Sequence, residues 1–190
     1  MHRPIHLAAL VLAACSAIAC QSASDSPWYA DRSLAVESVD GVEASNSTGV
    51  GGRVYFAGQP SQADIDRYAA MGVKTVINLR RPNEMESVGF DERAAVEAAG
   101  MTYVHVPYNQ SAPIGDDDYN KVAAALDAAG DAPALMHCGS SNRVGYVWAL
   151  YQRDRVGLDL NEAISEGEKA GLRSDGLKGF IRTTPPPPRP

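Results

Sequence analysis

Residues 135–145 read LMHCGSSNRVG. The first of them end a short apolar strand, Ala134 to His137, and Val144 begins a helix with one apolar face. A strand that passes through a loop of small residues into a helix directs the loop amides and the positive end of the helix at one point. The stretch therefore predicts an anion-binding loop that begins at Cys138.

The side chains of this loop suggest nucleophilic chemistry. Arg143 lies where the loop meets the helix, so its planar guanidinium can fold back and bind an anion through two parallel hydrogen bonds. The field that favours an anion also favours thiolate, which is the nucleophilic form of a cysteine such as Cys138. His137 is expected to orient the loop through hydrogen bonds or, as the alternative, to act as an acid. A strand–turn–helix with an incidental cysteine is the structural alternative.

The other loop residues are candidates for substrate binding. Gly139 allows close approach of the backbone, and Ser140, Ser141 and Asn142 complete the loop. The loop contains no Lys, which favours a phosphoprotein or a small ester with one phosphate over a highly charged phosphoinositide. Arg80 follows a predicted strand, and ligands of α/β sheets bind at the carboxyl ends of strands, so it is a further candidate. Solvated loop charge is the alternative for Arg80.

Strand-like and helix-like segments alternate around the loop. The predicted strands are 54–56, 73–79, 101–106 and 134–137, and the predicted helices are 62–71, 90–99, 116–129, 144–155, 160–170 and 176–181. This alternation is typical of a mainly parallel central sheet flanked by helices. A length of 190 residues fits one such domain. We therefore predict a single α/β domain.

The first residues have the composition of an export signal. The apolar stretch from Leu7 to Ala19 is too short to span a bilayer, so residues 1–19 are interpreted as a secretory signal peptide. The sequence Ala-Ile-Ala before Cys20 resembles a bacterial lipobox, which predicts lipidation of Cys20 and a membrane-anchored lipoprotein facing the periplasm. Cys15 is a second, weaker match, and soluble secretion is the alternative.

Composition divides the rest of the chain. Residues 20–50 are rich in Ser, Ala, Gly and Asp and are predicted to form a flexible tether. Residues 51–183 contain the alternating segments and form the predicted domain. Residues 184–190 are predicted to be a Pro-rich disordered tail.

Charge and ligand spacing exclude several classes of function. A net charge of −6 argues against nucleic-acid binding and against electrostatic docking on anionic lipid. The membrane is therefore expected as a partner only through a lipid anchor. His105, His137 and Cys138 have no metal-ligand spacing, and no nucleotide-binding glycine fingerprint is present, so no metal or other cofactor is expected. The oligomeric state is not predicted.

The pair His137-Cys138 followed by Arg143 resembles the signature loop of the protein tyrosine and dual-specificity phosphatases. The wider pattern is similar to a bacterial branch of that superfamily, the beta-lactamase hydrolase-like phosphatase-like domains. Counterparts lie at 57–61, 76–80, 103–107 and 137–145, and the resemblance covers about residues 50–155. It implies the phosphatase fold for residues 51–183, hydrolysis of phosphomonoesters through a phosphocysteine intermediate, and no metal.

Three features depart from the tyrosine phosphatase pattern. Four residues separate Cys138 from Arg143, where the usual loop has five, and Val144 stands where Ser or Thr assists release of the thiolate. Ser140 or Ser141 is a possible substitute for that hydroxyl. No carboxylate occurs at 106–111, where the general acid is expected. The candidate acid is therefore one of Asp116, Asp117 and Asp118, with Asp116 chosen, and helix capping is the alternative.

These departures leave two other functions open. The four-residue spacing is also typical of rhodanese sulfurtransferases, in which the cysteine carries a persulfide. A non-catalytic anion-binding module would keep the loop without turnover. Without a general acid, which contributes about 10²–10⁴-fold, a phosphatase would be slow or limited to good leaving groups.

Overall fold

The computed structural model describes residues 35–128 and 132–186. The predicted signal peptide, Cys20 and the first part of the predicted tether lie outside the described residues, as do the last four residues of the tail. None of the helices in the described part is long and apolar enough to cross a membrane.

The described residues form one sheet of six strands with helices on both faces. The strands are β1 Val36–Ser38, β2 Thr48–Val50, β3 Val54–Ala57, β4 Thr75–Asn78, β5 Thr102–His105 and β6 Ala134–His137. The helices are α1 Gln62–Ala70, α2 Pro82–Met85, α3 Glu92–Ala98, α4 Asp116–Ala128, α5 Asn142–Tyr151, α6 Leu160–Lys169 and α7 Asp175–Thr183. A π-helical turn, Gln152–Val156, continues α5.

The strand order is β1-β2-β3-β6-β4-β5. Strands β3, β6, β4 and β5 pair in parallel, whereas β1 and β2 extend the sheet as antiparallel strands. The predicted single α/β domain with a mainly parallel sheet is confirmed, and the sheet is mixed at one edge. Because β6 is central and covered on both faces, all four of its residues are buried.

The prediction of a flexible tether is wrong for the part of residues 20–50 that forms strands. Val36–Ser38 pairs with Thr48–Val50, which in turn pairs with β3. Each of these strands has only three residues, so alternation of polar and apolar side chains is too short to recognise in the sequence. The folded domain therefore begins before residue 51.

Helix ends follow local capping chemistry. The side chain of Ser61 accepts a hydrogen bond from the backbone N–H of Asp64, and the Asp64 carboxylate accepts one from the Ser61 N–H, which begins α1 with a capping box. Asp159 and Glu162 begin α6 in the same way. Helix α7 ends two residues later than predicted, at Thr183.

Two apolar layers cover the two faces of the sheet. On one face, Phe56 and Met136 of the sheet pack with residues of α4 to α7, including the buried Trp148. On the other face, Tyr55 and Leu135 pack with residues of α1 and α3. This alternation along β3 and β6 fixes the register of the sheet. It therefore also fixes where β6 ends relative to its neighbouring strands.

Candidate active site

Cys138 is the first residue after the central strand. Its backbone N–H donates to the Ala57 carbonyl at 3.3 Å, and the preceding residue, His137, accepts from the Leu79 N–H at 3.0 Å. The flanking strands therefore hold both sides of the chain at the carboxyl end of the sheet. Cys138 is buried, with only 1% of its surface exposed.

Arg143 lies in the first turn of α5 and is fixed by four hydrogen bonds. Its Nη1 donates to the carbonyls of Leu79 at 3.2 Å and Tyr108 at 3.0 Å, and to Glu84 Oε2 at 2.9 Å. Its Nη2 donates to Glu84 Oε1 at 2.7 Å. An ideal Cβ built on Gly139 would lie 3.8 Å from Nη2, so the guanidinium folds back towards the loop.

The ion pair between Arg143 and Glu84 stabilises the ionised form of both side chains. Hydrogen bonds from Arg143 lower the pKa of Glu84 from its ordinary value to about 2, against the effect of partial burial. Burial would lower the pKa of Arg143, but the hydrogen bonds that it donates to Glu84 and its electrostatic interaction with Cys138 raise it overall. A positive charge in this position is available to an anion held by the loop.

Glu84 follows the predicted strand 73–79 at the edge of the sheet where ligands bind, but sequence analysis assigned it no role. It lies in α2, a four-residue helix that was not predicted because one turn carries no periodic pattern. Pro82 at the start of α2 and the acidic Glu84 in its first turn are both local signals for the beginning of a helix.

Arg80 helps to fix α2, the helix that carries Glu84. Its side chain is 9% exposed and donates to Gln59 Oε1 and to the Glu84 carbonyl. The Arg80 carbonyl lies 2.7 Å from Nε2 of His105. The guanidinium therefore holds α2 in place, and contact between Arg80 and a substrate stays a prediction.

A buried carboxylate faces His137. Glu92 Oε1 lies 3.4 Å from His137 Nε2 and accepts from Gln59 at 2.6 Å. Its Oε2 accepts from Asn78 at 2.6 Å and from Tyr103 at 2.8 Å. Burial would raise the pKa of Glu92, yet the interaction with His137 and the hydrogen bonds from Gln59 and Tyr103 lower it to about 2.

This network suits the orienting role predicted for His137. The imidazole is fully buried and directed at Glu92, which lies on α3, while its backbone joins β6 to the loop. The sequence did not point to Glu92, because it lies 45 positions before His137 and no spacing rule connects the two residues.

The serines of the loop have different surroundings. Ser141 has φ 64° and ψ −4°, the left-handed conformation that is uncommon for residues other than Gly. It is fully buried, and its Oγ donates to the Ala170 carbonyl at 2.8 Å. Gly139 and Ser140 are exposed. The hydroxyl of Ser141 is thus hydrogen-bonded to the α6–α7 connection.

Asn142 is also bound to that connection. Its Oδ1 accepts from the backbone N–H groups of Arg173 at 2.7 Å and Ser174 at 3.1 Å. Its Nδ2 donates to Gln110 at 3.4 Å, in the segment that precedes α4. Asn142 therefore connects the loop to two neighbouring segments, and its contact with a substrate stays a prediction.

Asp116 is the first residue of α4. It is exposed in the first turn of α4 and lines a cavity of about 310 Å³ with Tyr119, Arg153 and Asp154. Cys138 is not among the described residues that line this cavity. The structure thus brings Cys138, Arg143 and His137 together, and the role of Asp116 as an acid stays a prediction.

Comparison with known proteins agrees with this geometry. A family model described as "Beta-lactamase hydrolase-like protein, phosphatase-like domain" matches residues 50–154, which is more than half of the chain. The chain belongs to this family.

Two curated relatives carry the name beta-lactamase hydrolase-like protein. The protein from Xylella fastidiosa strain 9a5c is 29% identical over 145 residues, which are 68% of this chain and 33% of that protein. The protein from strain Temecula1 is 28% identical over the same length. The chain thus spans about a third of the length of these relatives.

Solved structures show the same fold for this member of the beta-lactamase hydrolase-like phosphatase-like family. Pseudomonas aeruginosa TpbA superposes with a TM-score of 0.63 at 22% identity, covering 79% of this chain and 90% of TpbA. A TpbA structure with a cysteine-to-serine substitution and bound phosphotyrosine superposes with a TM-score of 0.56 at 23% identity, covering 78% and 96%. The fold is therefore that of the protein-tyrosine-phosphatase-like phosphatases.

Proposed function

We propose that this chain is a cysteine-dependent phosphatase that hydrolyses phosphomonoesters. The observation that carries the proposal is the buried guanidinium of Arg143, fixed by Glu84 and two backbone carbonyls and folded towards the loop of Cys138. A charged fork held in one orientation matches the planar oxygens of a phosphoryl group in transfer. Membership of a phosphatase-like family supports the same reaction.

The proposed reaction has two displacements at phosphorus. The Cys138 thiolate attacks phosphorus, an S–P bond forms, and the bond from phosphorus to the ester oxygen breaks as that oxygen leaves with the electron pair and takes a proton. Water then attacks the phosphocysteine, the S–P bond breaks, and inorganic phosphate leaves as the thiolate is regenerated. Arg143 and the loop amides bind the phosphoryl oxygens in both steps.

Protonation of the leaving oxygen limits the substrates. Asp116 is the proposed donor, and Cys138 is not among the described residues that line the cavity beside it. Aryl phosphates, whose phenolate leaves without full protonation, should therefore react much faster than alkyl phosphates. We propose phosphotyrosine-type or small aryl esters as the substrate class, and the phosphotyrosine bound to the structural neighbour TpbA supports this choice.

The test compares two reactions on the purified chain. An aryl phosphate and an alkyl phosphate are assayed for phosphate release, and thiosulfate with cyanide is assayed for thiocyanate, with Cys138→Ser and Arg143→Ala as controls. Phosphate release that is lost in both variants is the expected result. Thiocyanate formation without phosphate release would instead assign a sulfurtransferase that forms a persulfide, and the absence of both products would favour an anion-binding module.

We also propose that the protein is exported and anchored by lipid. The proposal rests on the apolar stretch at residues 7–19 and the lipobox-like sequence before Cys20. Metabolic labelling with a fatty acid should mark the wild-type chain and leave Cys20→Ser unlabelled. Labelling that persists in Cys20→Ser but disappears in Cys15→Ser would assign the anchor to Cys15. An intact signal in the wild-type chain would reject the proposal.

A further inference from the structure

The carbonyl of Ser140, in the middle of the loop, accepts two hydrogen bonds from distant segments. Asn46 Nδ2, in the connection between β1 and β2, donates to it at 3.2 Å. Arg173 Nη2, in the connection between α6 and α7, donates to it at 2.8 Å. Both residues lie outside the segment that matches the family, residues 50–154.

The α6–α7 connection contacts three successive residues of the loop. Arg173 bonds to Ser140 through its side chain and to Asn142 through its backbone N–H, and Ala170 accepts from Ser141. Gly171, with φ 107°, lies so close that an added Cβ would stand 2.7 Å from Ser141 Cβ. The connection therefore packs directly against the loop.

Arg173 is suited to hold more than one carbonyl. Its Nη1 donates to its near neighbour Gly171 at 3.0 Å while Nη2 donates to Ser140 at 2.8 Å. The guanidinium spans two acceptors in a fixed plane, which the single ammonium group of a Lys side chain does less well. A charged donor also gives a stronger hydrogen bond than a neutral one.

Asn46 is the second donor to the Ser140 carbonyl. It has φ 53°, a conformation that Asn adopts more readily than most residues. Its neighbour Ser45 accepts from the Gly58 N–H at 2.7 Å, and Gly58 forms an isolated β-bridge with Ser140. The β1–β2 connection is therefore packed on the same part of the loop.

The direction of the Ser140 carbonyl sets the direction of the next amide. In a trans peptide the C=O of one residue and the N–H of the next point to opposite sides, and no cis peptide bond occurs among the described residues. If donors hold the Ser140 carbonyl away from the anion, the Ser141 N–H is turned towards it. Donors on a carbonyl also polarise its peptide group and strengthen the N–H as a donor.

We propose that Asn46 and Arg173 are positioning residues for the anion-binding loop, holding the Ser140 carbonyl so that the Ser141 N–H faces the bound phosphoryl group. Four residues between Cys138 and Arg143 leave few amides to bind the anion, so the orientation of each one matters. The catalytic consequence rests on the proposed phosphatase function. The effect on anion binding does not, because it can be measured without turnover.

The test measures the dissociation constant for inorganic phosphate by calorimetry on the full chain. Arg173→Gln is expected to weaken phosphate binding about ten-fold, as is typical for loss of a hydrogen bond to a charged group, with little change in the melting temperature. Arg173→Lys should restore part of the affinity. Arg182→Gln removes the same charge from an exposed position in the last turn of α7 and is the matched control.

Asn46→Gly tests the second donor while tolerating the left-handed conformation. It should weaken phosphate binding several-fold. Because both donors act on one carbonyl, the loss of binding free energy in the Asn46→Gly/Arg173→Gln double variant should differ from the sum of the two single losses. Wild-type affinity in both single variants, or an equal loss in Arg182→Gln, would overturn the proposal. Phosphate binding by a wild-type chain without phosphatase activity would reject the proposed reaction and leave this inference standing.

Discussion

At the scale of single residues, the Arg143–Glu84 ion pair decides whether the loop has an oriented positive charge. Two oxygens of Glu84 bind two nitrogens of Arg143, so the plane of the guanidinium is fixed as well as its position. The Leu79 and Tyr108 carbonyls support the same orientation. A neutral Gln in place of Glu84 would keep one hydrogen bond to Arg143 and lose the paired contact of two oxygens with two nitrogens.

We expect Glu84→Gln to lower kcat/KM for an aryl phosphate by about 10- to 100-fold, the range for loss of a hydrogen bond between charged groups. Steady-state kinetics of the variant and of Glu86→Gln, an exposed Glu in the same segment, would measure the effect. Equal activity of Glu84→Gln and wild type would show that Arg143 keeps its orientation without the carboxylate.

Glu92 gives a prediction about pH. Its pKa in the folded protein is about 2, below its ordinary value, so its ionised form is stabilised by folding. The contribution is fully present above the ordinary value of 4.5 and is lost as pH falls towards 2. We expect Glu92→Gln to be less stable than wild type at pH 7 and to show a flatter dependence of the unfolding free energy between these values.

Urea unfolding at a series of pH values would test this expectation. Glu97→Gln is the matched control, because Glu97 lies on the same helix, α3, and its side chain is 55% exposed. If the unfolding free energies of Glu92→Gln and wild type fall in parallel at acid pH, the buried carboxylate is not the cause of the pH dependence.

Local sequence explains why only part of the site was predictable. Cys138, Arg143 and the loop between them are contiguous, and their order in the sequence is their order in space. Glu84 and Glu92 reach the site from separate helices, and their roles depend on which strands are neighbours. Neither carries a spacing signal that relates it to Cys138.

At the scale of elements, the contact between α5 and α6 depends on two glycines. A Cβ built on Gly145 would lie 2.3 Å from the Leu172 backbone nitrogen and 2.4 Å from the Gly167 carbonyl oxygen. These are backbone atoms and cannot turn aside as a flexible side chain can. Helix α5 begins directly after the loop, so its distance from α6 also affects how the α6–α7 connection meets Ser141.

Gly145→Ala should therefore destabilise the fold by about 1–3 kcal/mol, the usual cost of inserting a methyl group into a packed site. Gly179→Ala in α7 is the matched control, because an added Cβ there meets nothing within 4 Å. It should be neutral or more stable by up to about 1 kcal/mol, since Ala favours a helix. Chemical denaturation of both variants gives the comparison, and equal stability would mean that α6 can shift freely.

Short elements explain the errors of prediction at this scale. The parallel strands and the longer helices were recognised from runs of apolar residues and from caps, and the structure has them within a few residues. Strands β1 and β2 and helix α2 have three or four residues each, too few for a period to repeat. Their structure is determined by pairing and by contacts with the loop.

At the scale of the whole molecule, the segments outside the family match complete the domain around the loop. Strands β1 and β2 lie before most of the matched residues 50–154, and α6 and α7 lie after them. Both added parts bind Ser140. The alternation of the matched segment predicted the parallel sheet, but the antiparallel edge required knowledge of contacts between distant residues.

A chain that begins at Gly51 should therefore be less stable and bind phosphate more weakly than one that begins at Ala35. The shorter chain loses β1 and β2, the burial of Val50 and the hydrogen bond from Asn46, and exposes the edge of β3 to pairing with other molecules. We expect a loss of about 2 kcal/mol in unfolding free energy, comparable to exposing one buried Val. Urea unfolding and phosphate calorimetry on the two chains would measure both effects, with Val36→Thr in the longer chain as a control for a weakened β1. If the two chains agree in stability and affinity, the family-matched segment with α6 and α7 is sufficient, and the antiparallel strands do not contribute to the loop.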